Sequence, residues 1–416
     1  MPTTPPTAVD AAGDDVRRAD AGALARALVA TRKDTLACFE EVRRLLPDLR
    51  VPYDPRLNPA LWELGHVGWF QEYWTSRNPQ RAAGSRADPD AARVPGVRAD
   101  ADALYNSSLV PHRQRWSLRL PTVAQTLSDL ARQLDATLAA LARAEGDDAS
   151  LYFFRLVLLH EDMHHEAAIY MAQSLGLPID GVIHGAFAKP QAPERRQLAI
   201  AGGTCQFGAT GSGFAFDNEL VPFTASLAPF SIDATAVTWA DFLPFVEAGG
   251  YGMSHLWSDE GWHWVRETAA RAPRYLARDG AAWHVERFGR RLRLDPALPA
   301  CHLSFHEAQA WCRWAGRRLP TEFEWEAAAA QAPRDFAFGD VWEWTSSPFA
   351  PYAGFEPHPY RDYSAPWFDG RPVLRGASFA TPPRMRHPRY RNFFTAERND
   401  IFSGFRSCAC AHAPAA

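Results

Sequence analysis

The chain has 416 residues, of which 47% are hydrophobic and 22% charged, with a formal charge of −4. That length gives room for two domains with separate cores, and the slight acidity excludes a nucleic-acid surface as the main business of the protein. No stretch approaches the ~18–20 apolar residues of a membrane span, and the N-terminus lacks the basic-then-apolar pattern of a signal peptide. The expectation is a cytoplasmic protein, a monomer, with small-molecule partners and neither nucleic acid nor membrane.

Residues 1–20, rich in Pro, Ala and Asp, read as a disordered tail. From 21 to 190 the text is helical. An amphipathic run follows Asp20 at its cap position. A second, "NPALWELGHVGWFQEYW", starts with Asn58 as cap and Pro59 in the first turn. "PTVAQTLSDLARQLDATLAALARAE" is a third. The fourth, "LYFFRLVLLHEDMHHEAAIYMAQSLGL" (151–177), ends at Gly176 and Pro178. Four such segments predict an antiparallel four-helix bundle. The connection over 78–120 is longer than a bundle needs, which directs it toward a functional site.

The pattern changes in "AKPQAPERR", and the domain boundary is placed at 188–196. Residues 191–416 carry short strand-like runs divided by Gly and Pro. The tryptophans, fifteen in the chain, concentrate after residue 235 and predict a loop-rich domain built on aromatic anchors. Six cysteines without a C-x-x-C pair read as reduced packing residues, with Cys408 and Cys410 on one face of a strand.

On the fourth helix, His160 and His164 lie one turn apart on one face, and His165 points about 100° further round. Two imidazoles at that spacing can share a metal ion, although the same spacing also suits two histidines packed at a helix interface. His66 is flanked by Trp62, Trp69 and Phe70 on the second helix. By itself it reads more readily as a packed residue than as a ligand, but a bundle can converge side chains from facing helices on one interior metal.

H-x-x-x-H-x-E at 160–166, the upstream His66, and "GRRLPTEFEWEAAAA" with "GDVWEWTSSPF" further on resemble the ergothioneine-type sulfoxide synthases over residues 21–412. The resemblance implies an α+β fold: an N-terminal DinB-like four-helix bundle joined to a domain like the formylglycine-generating enzyme, itself C-type-lectin-like. It implies an enzyme in which His66, His160 and His164 hold non-haem Fe(II), with O2 as co-substrate and hercynine, the trimethylated histidine, as acceptor. "HPYRDYSAPWF" matches the family's tyrosine motif, so Tyr360 becomes the proton donor in the oxygen chemistry and Tyr363 its neighbour. "RYRNFFTAERNDIFSGFR" resembles the hercynine-contacting segment. Asn392 matches there, Phe393 and Phe394 replace an aromatic–aspartate pair, and Asp400 is a candidate for the missing carboxylate. Arg113 and Arg115 fall where thiol-using members bind donor carboxylates.

Two departures point to a branch. Met163 stands where the thiol enzymes have glutamine, and the helix around His66 lacks their W-H-x-x-H pattern. Both look closer to the selenoneine synthases, which join hercynine to a selenosugar rather than to cysteine or γ-glutamylcysteine. The sulfur branch is the alternative. Other classes are a zinc-dependent DinB-type thiol transferase, a formylglycine-generating enzyme using Cys408 and Cys410, and a lectin-like binding module.

Overall fold

A computed structural model describes residues 15–179, 195–210 and 212–410. Residues 1–14 of the expected tail, and most of the expected 188–196 boundary, lie outside the described residues. Residues 15–20 differ from the tail expectation, because Arg17 is buried and pairs bidentately with Glu219 of the C-terminal half at 2.6 and 2.8 Å.

Four long helices build the N-terminal half: α1 (Ala21–Leu45), α2 (Ala60–Trp74), α3 (Val123–Leu141) and α4 (Asp148–Ser174). Asp20 caps α1 by accepting from the Ala23 amide, Thr122 and Gln125 form a capping box on α3, and Asp147 caps α4. The expected cap of α2 is corrected. Pro59 takes that place without a side-chain bond, and the Asn58 side chain instead accepts from Arg115.

Helix α2 is buried over nearly its whole circumference, as a helix walled in by others must be. Its two glycines are explained by close approach. A Cβ on Gly65 would sit 2.3 Å from the Tyr105 ring, and one on Gly68 would sit 2.2 Å from Gln133 Oε1. Glycine costs helix stability relative to alanine by roughly 0.5–1 kcal/mol. Here it lets the 78–120 connection and α3 pack directly on the backbone.

The C-terminal half is made of short strands: β1 (Gln197–Ile200), β2 (Gly203–Phe207), β3 (Phe223–Leu227), β4 (Phe230–Asp233), β5 (Leu276–Asp279), β6 (Ala282–Arg287), β7 (Arg290–Arg293), β8 (Arg317–Arg318), β9 (Trp342–Pro348), β10 (Pro372–Gly376), β11 (Asn392–Phe393), β12 (Ser403–Gly404) and β13 (Cys408–Ala409). They form two four-stranded sheets, ordered β1-β4-β13-β8 and β11-β10-β9-β12, the hairpin β2-β3 and the meander β5-β6-β7. Four short helices, α5 (Trp239–Glu247), α6 (Asp259–Thr268), α7 (Phe305–Trp314) and α8 (Glu322–Gln331), pack around them.

Cys408 is buried and Cys410 exposed, so the pair does not share a face as expected. β13 ends at Ala409, and the strand alternation stops before it reaches Cys410. All six cysteines are free. Among the described residues no helix is long and apolar enough to cross a membrane.

The acids that flank the histidines of α4 seat that helix. Glu161 takes Arg32 of α1 at 2.8 Å, within the bundle. Asp162 accepts from Thr31 of α1 and is held by Arg384 of the C-terminal half at 2.6 and 2.7 Å. Glu166 accepts from Trp342 Nε1 at 2.8 Å, Ser378 Oγ at 2.5 Å and Thr381 Oγ1 at 2.8 Å, all across the seam. Buried carboxylates are tolerated only when paired this completely, and each pairing fixes the rotation of α4 about its axis.

Candidate metal centre and substrate cavity

That rotation brings His160 and His164 together beneath His66 of α2. Ring centroids lie 4.5 Å apart for His160–His164, 4.8 Å for His66–His164 and 5.3 Å for His66–His160. One nitrogen from each ring lies within 4.8 Å of the others. Every ring is fixed from behind. The Nδ1–H of His66 donates to the Tyr105 carbonyl at 2.8 Å, and Trp62 stacks on the ring at 4.9 Å. His164 Nδ1 bonds Glu63 Oε2 at 2.5 Å. His160 lies flat on Phe70, with centroids 3.5 Å apart and an interplanar angle of 5°.

This donor set fits a metal ion. The two bonded Nδ1 atoms leave Nε2 of His66 and His164 as the lone-pair nitrogens, the outer-shell arrangement common in histidine metal sites. His160 is buried, and its Nδ1 finds no hydrogen-bond partner. Burial, with His164 nearby, lowers His66 to about 3 and holds His160 well below the ordinary imidazole range, so both rings stay neutral as ligands must. Burial alone would raise Glu63, but the adjoining His164 brings it down to about 2, leaving a carboxylate to accept from the ring. Three imidazoles leave room for exogenous ligands, unlike a closed four-ligand structural site. His165 takes no part in the cluster. It lines an apolar cavity inside the bundle with Cys38, Phe39 and Leu64.

His164 also borders a cavity of about 200 Å³ between the two halves, lined by Met163, Glu166, Tyr170, Trp342, Tyr390, Asn392 and Phe394 among others. The segment 390–394 alternates as a strand should. Tyr390, Asn392 and Phe394 line the cavity, whereas Arg391 and Phe393 face away. Arg391 is clamped by Glu322 at 2.8 and 3.0 Å, and Phe393 stacks on Phe349 at 4.0 Å. Phe393 is therefore corrected from a cavity residue to a packing residue. Asp400 is corrected too: Arg398 holds its carboxylate at 2.6 and 2.8 Å, so it does not stand in for a free carboxylate in the cavity.

Tyr360 sits across the histidines, 4.9 Å from Phe70 and 6.2 Å from His160 between ring centroids. It lines a second cavity of about 270 Å³ with Trp69, Trp74, Asn106 and Asp362. Burial pushes its phenol up, so it holds its proton at neutral pH. Tyr363 lies one layer back, stacked on Phe216 at 4.4 Å and donating to Tyr390 Oη at 3.1 Å. Arg115 is half-buried over Trp62 at 4.0 Å, with Glu63 and Tyr360 close enough to be felt electrostatically, and its buried Nε has no hydrogen-bond partner. Arg113 is exposed beside Tyr53 and does not join the site.

Sequence reasoning missed Glu63, the Tyr105 carbonyl and Tyr390. The E-x-x-H spacing on one helix face was a signal for Glu63, and the alternation with Asn392 was one for Tyr390. Nothing in the sequence announces a carbonyl acceptor 39 residues downstream of its histidine.

A helical bundle bearing three convergent imidazoles, joined to a lectin-like domain that closes over them, defines a two-domain protein with a candidate metal centre at the seam. Residues 27–169 match the DinB superfamily, and 184–338 with 334–411 match the sulfatase-modifying factor enzyme 1-like domain. The chain is 32% identical to a hercynine oxygenase of Mycolicibacterium thermoresistibile, covering 92% of this chain and 94% of that one. It is 31% identical to the hercynine oxygenase of Mycolicibacterium smegmatis, over 86% and 92% of the two chains. A formylglycine-generating enzyme of Streptomyces coelicolor matches over 41% of this chain and 58% of its own length, at 37% identity. The chain belongs to the hercynine oxygenase family.

Proposed function

We propose that this protein is a non-haem Fe(II), O2-dependent enzyme that joins a chalcogen to the imidazole of hercynine, with a selenosugar as donor and selenoneine as the product class. The observation that carries the reading is the three-imidazole cluster, one member of which, His164, borders a cavity lined by Met163, Asn392 and aromatic rings. In this reading the bundle domain, 21–190, supplies the metal and the domain 191–416 supplies substrate contacts.

His66, His160 and His164 would hold the iron, which supplies O2 activation and a site for the chalcogen donor. The chain's own groups do the rest. Asn392 and Phe394 receive the trimethylammonium group, which donates no ordinary hydrogen bond and favours an aromatic face. Tyr360 keeps its proton until the oxygen chemistry requires it, a positioned acid of the kind that contributes ~10²–10⁴-fold. Tyr363 stands behind as its neighbour. The aromatic wall of Trp62, Phe70 and Trp74 limits water at the reacting atoms.

Met163 supports the selenium branch, since an apolar, polarizable thioether replaces an amide beside the ligand His164. One observation is neutral between the two donors. The unpartnered Nε of Arg115 suits a carboxylate of cysteine or γ-glutamylcysteine as readily as a sugar hydroxyl. The test is a donor panel: Fe(II) enzyme, hercynine and O2 with selenosugar, cysteine or γ-glutamylcysteine, products identified by mass. The reading expects kcat/KM for the selenosugar at least ~10-fold above either thiol, a difference of only about 1.4 kcal/mol in transition-state binding. Preference for γ-glutamylcysteine would assign the chain to the sulfur branch, and no product on hercynine would overturn both.

A further inference from the structure

The polar groups of the seam cavity are nearly all committed. Glu166 accepts three hydrogen bonds, and Trp342 Nε1 is one of the donors. Asn392 Oδ1 accepts from the Phe393 amide at 2.9 Å, which leaves its NH2. Tyr390 differs from these. Its hydroxyl accepts from Tyr363 at 3.1 Å and donates to Met163 Sδ at 3.3 Å. A thioether is a weak acceptor, so that donated bond is given up at little cost when a better acceptor arrives. Burial raises the Tyr390 phenol, which keeps it a donor across the neutral range. The ring itself is held between Trp342 and Phe216, each 5.5 Å away, so the hydroxyl turns on a fixed base.

Resting on the function proposed above, we propose that Tyr390 binds the acceptor's imidazole: its O–H leaves Met163 Sδ and donates to the ring's unprotonated nitrogen. Placement supports this. Tyr390, Met163 and His164 line one cavity, the Tyr390 hydroxyl bonds the residue next to His164, and Asn392 with Phe394 remains for the ammonium end. In this chain the polar contact therefore comes from the strand facing α4, because residue 163 offers only sulfur. Met163 and Tyr390 act as a pair. The methionine keeps the hydroxyl aimed into the cavity while the site is empty and yields it on binding.

The experiment is calorimetric titration of hercynine into the Fe(II) protein without O2, for wild type and three variants, with steady-state kinetics alongside. Tyr390→Phe should weaken binding ~5–10-fold, the range expected for one net hydrogen bond. KM for hercynine should rise while kcat stays within about threefold. In the Tyr390→Phe background, Met163→Gln should bring Kd back to within about threefold of wild type, because an amide at 163 reaches the same ring. Such rescue is not expected of a merely structural tyrosine. Met163→Leu, with Tyr390 intact, should bind hercynine at least as tightly as wild type, since the competing acceptor is gone. That variant decides the matter even if Tyr390→Phe fails to fold, because a loss of more than ~5-fold would make the sulfur the contact. A Tyr390→Phe affinity within twofold of wild type would overturn the inference while leaving the proposed function standing. Absence of hercynine binding by wild type would remove both.

Discussion

The two walls of the seam are built on different principles. The bundle wall presents three imidazoles from regular helices, each locked by a buried partner: Tyr105 on His66, Glu63 on His164, Phe70 against His160. The opposite wall presents Tyr390, Asn392 and Phe394 from a two-residue strand and its flanks, held by the clamp of Arg391 on Glu322. A metal site needs fixed geometry at a few ångströms, which packed helices supply. A substrate wall needs shape that changes with the ligand, and irregular segments on a rigid scaffold provide it. Chemistry and selectivity should therefore fail separately when each wall is altered.

The largest effect should come from the helical wall. His160→Ala removes one of the three proposed iron ligands and is expected to bring turnover below detection, measured as hercynine consumption with O2 uptake. Tyr360→Phe, on the other side of the histidines, should keep iron and hercynine binding but lower kcat by ~10²–10⁴. An unchanged rate would hand the proton to Tyr363 or to water. Asp162→Ala leaves Arg384 with only its longer contact to Asp34 at 3.5 Å and takes the acceptor from Thr31, which should cost about 1–3 kcal/mol, read from denaturant unfolding. Glu63→Gln keeps the size but removes the carboxylate behind His164, and metal affinity should fall ~10–100-fold with little change in hercynine affinity. Smallest of all, Arg113→Ala should change kcat/KM for the preferred donor by less than about twofold, whereas Arg115→Ala, stacked on Trp62, should raise the donor's KM.

The same contrast explains how much could be read in advance. His160 and His164 declared themselves because helical periodicity is a local rule, and one turn of separation fixes a common face. The bundle followed from helical patterning along the chain, whereas the lectin-like domain and the role proposed for Tyr360 came from the family resemblance. Phe393 and Asp400 went wrong for a different reason. A resemblance aligns positions, but which way each side chain faces depended on a strand two residues long and on Arg398, neither visible as a periodic signal. Asn58 had a good cap residue's chemistry, yet Arg115, 57 positions away, claimed its side chain. Contacts between distant segments decided those cases, and the sequence does not display them.

His66, His160 and His164 are proposed to form one iron site at the seam. Anaerobic Fe(II) titration of wild type, His66→Ala and His165→Ala tests it most directly, because His66 alone comes from a different helix and His165 is the neighbouring histidine that faces the bundle interior. The account predicts one iron per chain in wild type and in folded His165→Ala, and loss of stoichiometric binding in His66→Ala. Full iron content in His66→Ala, or its loss in a folded His165→Ala, would contradict it.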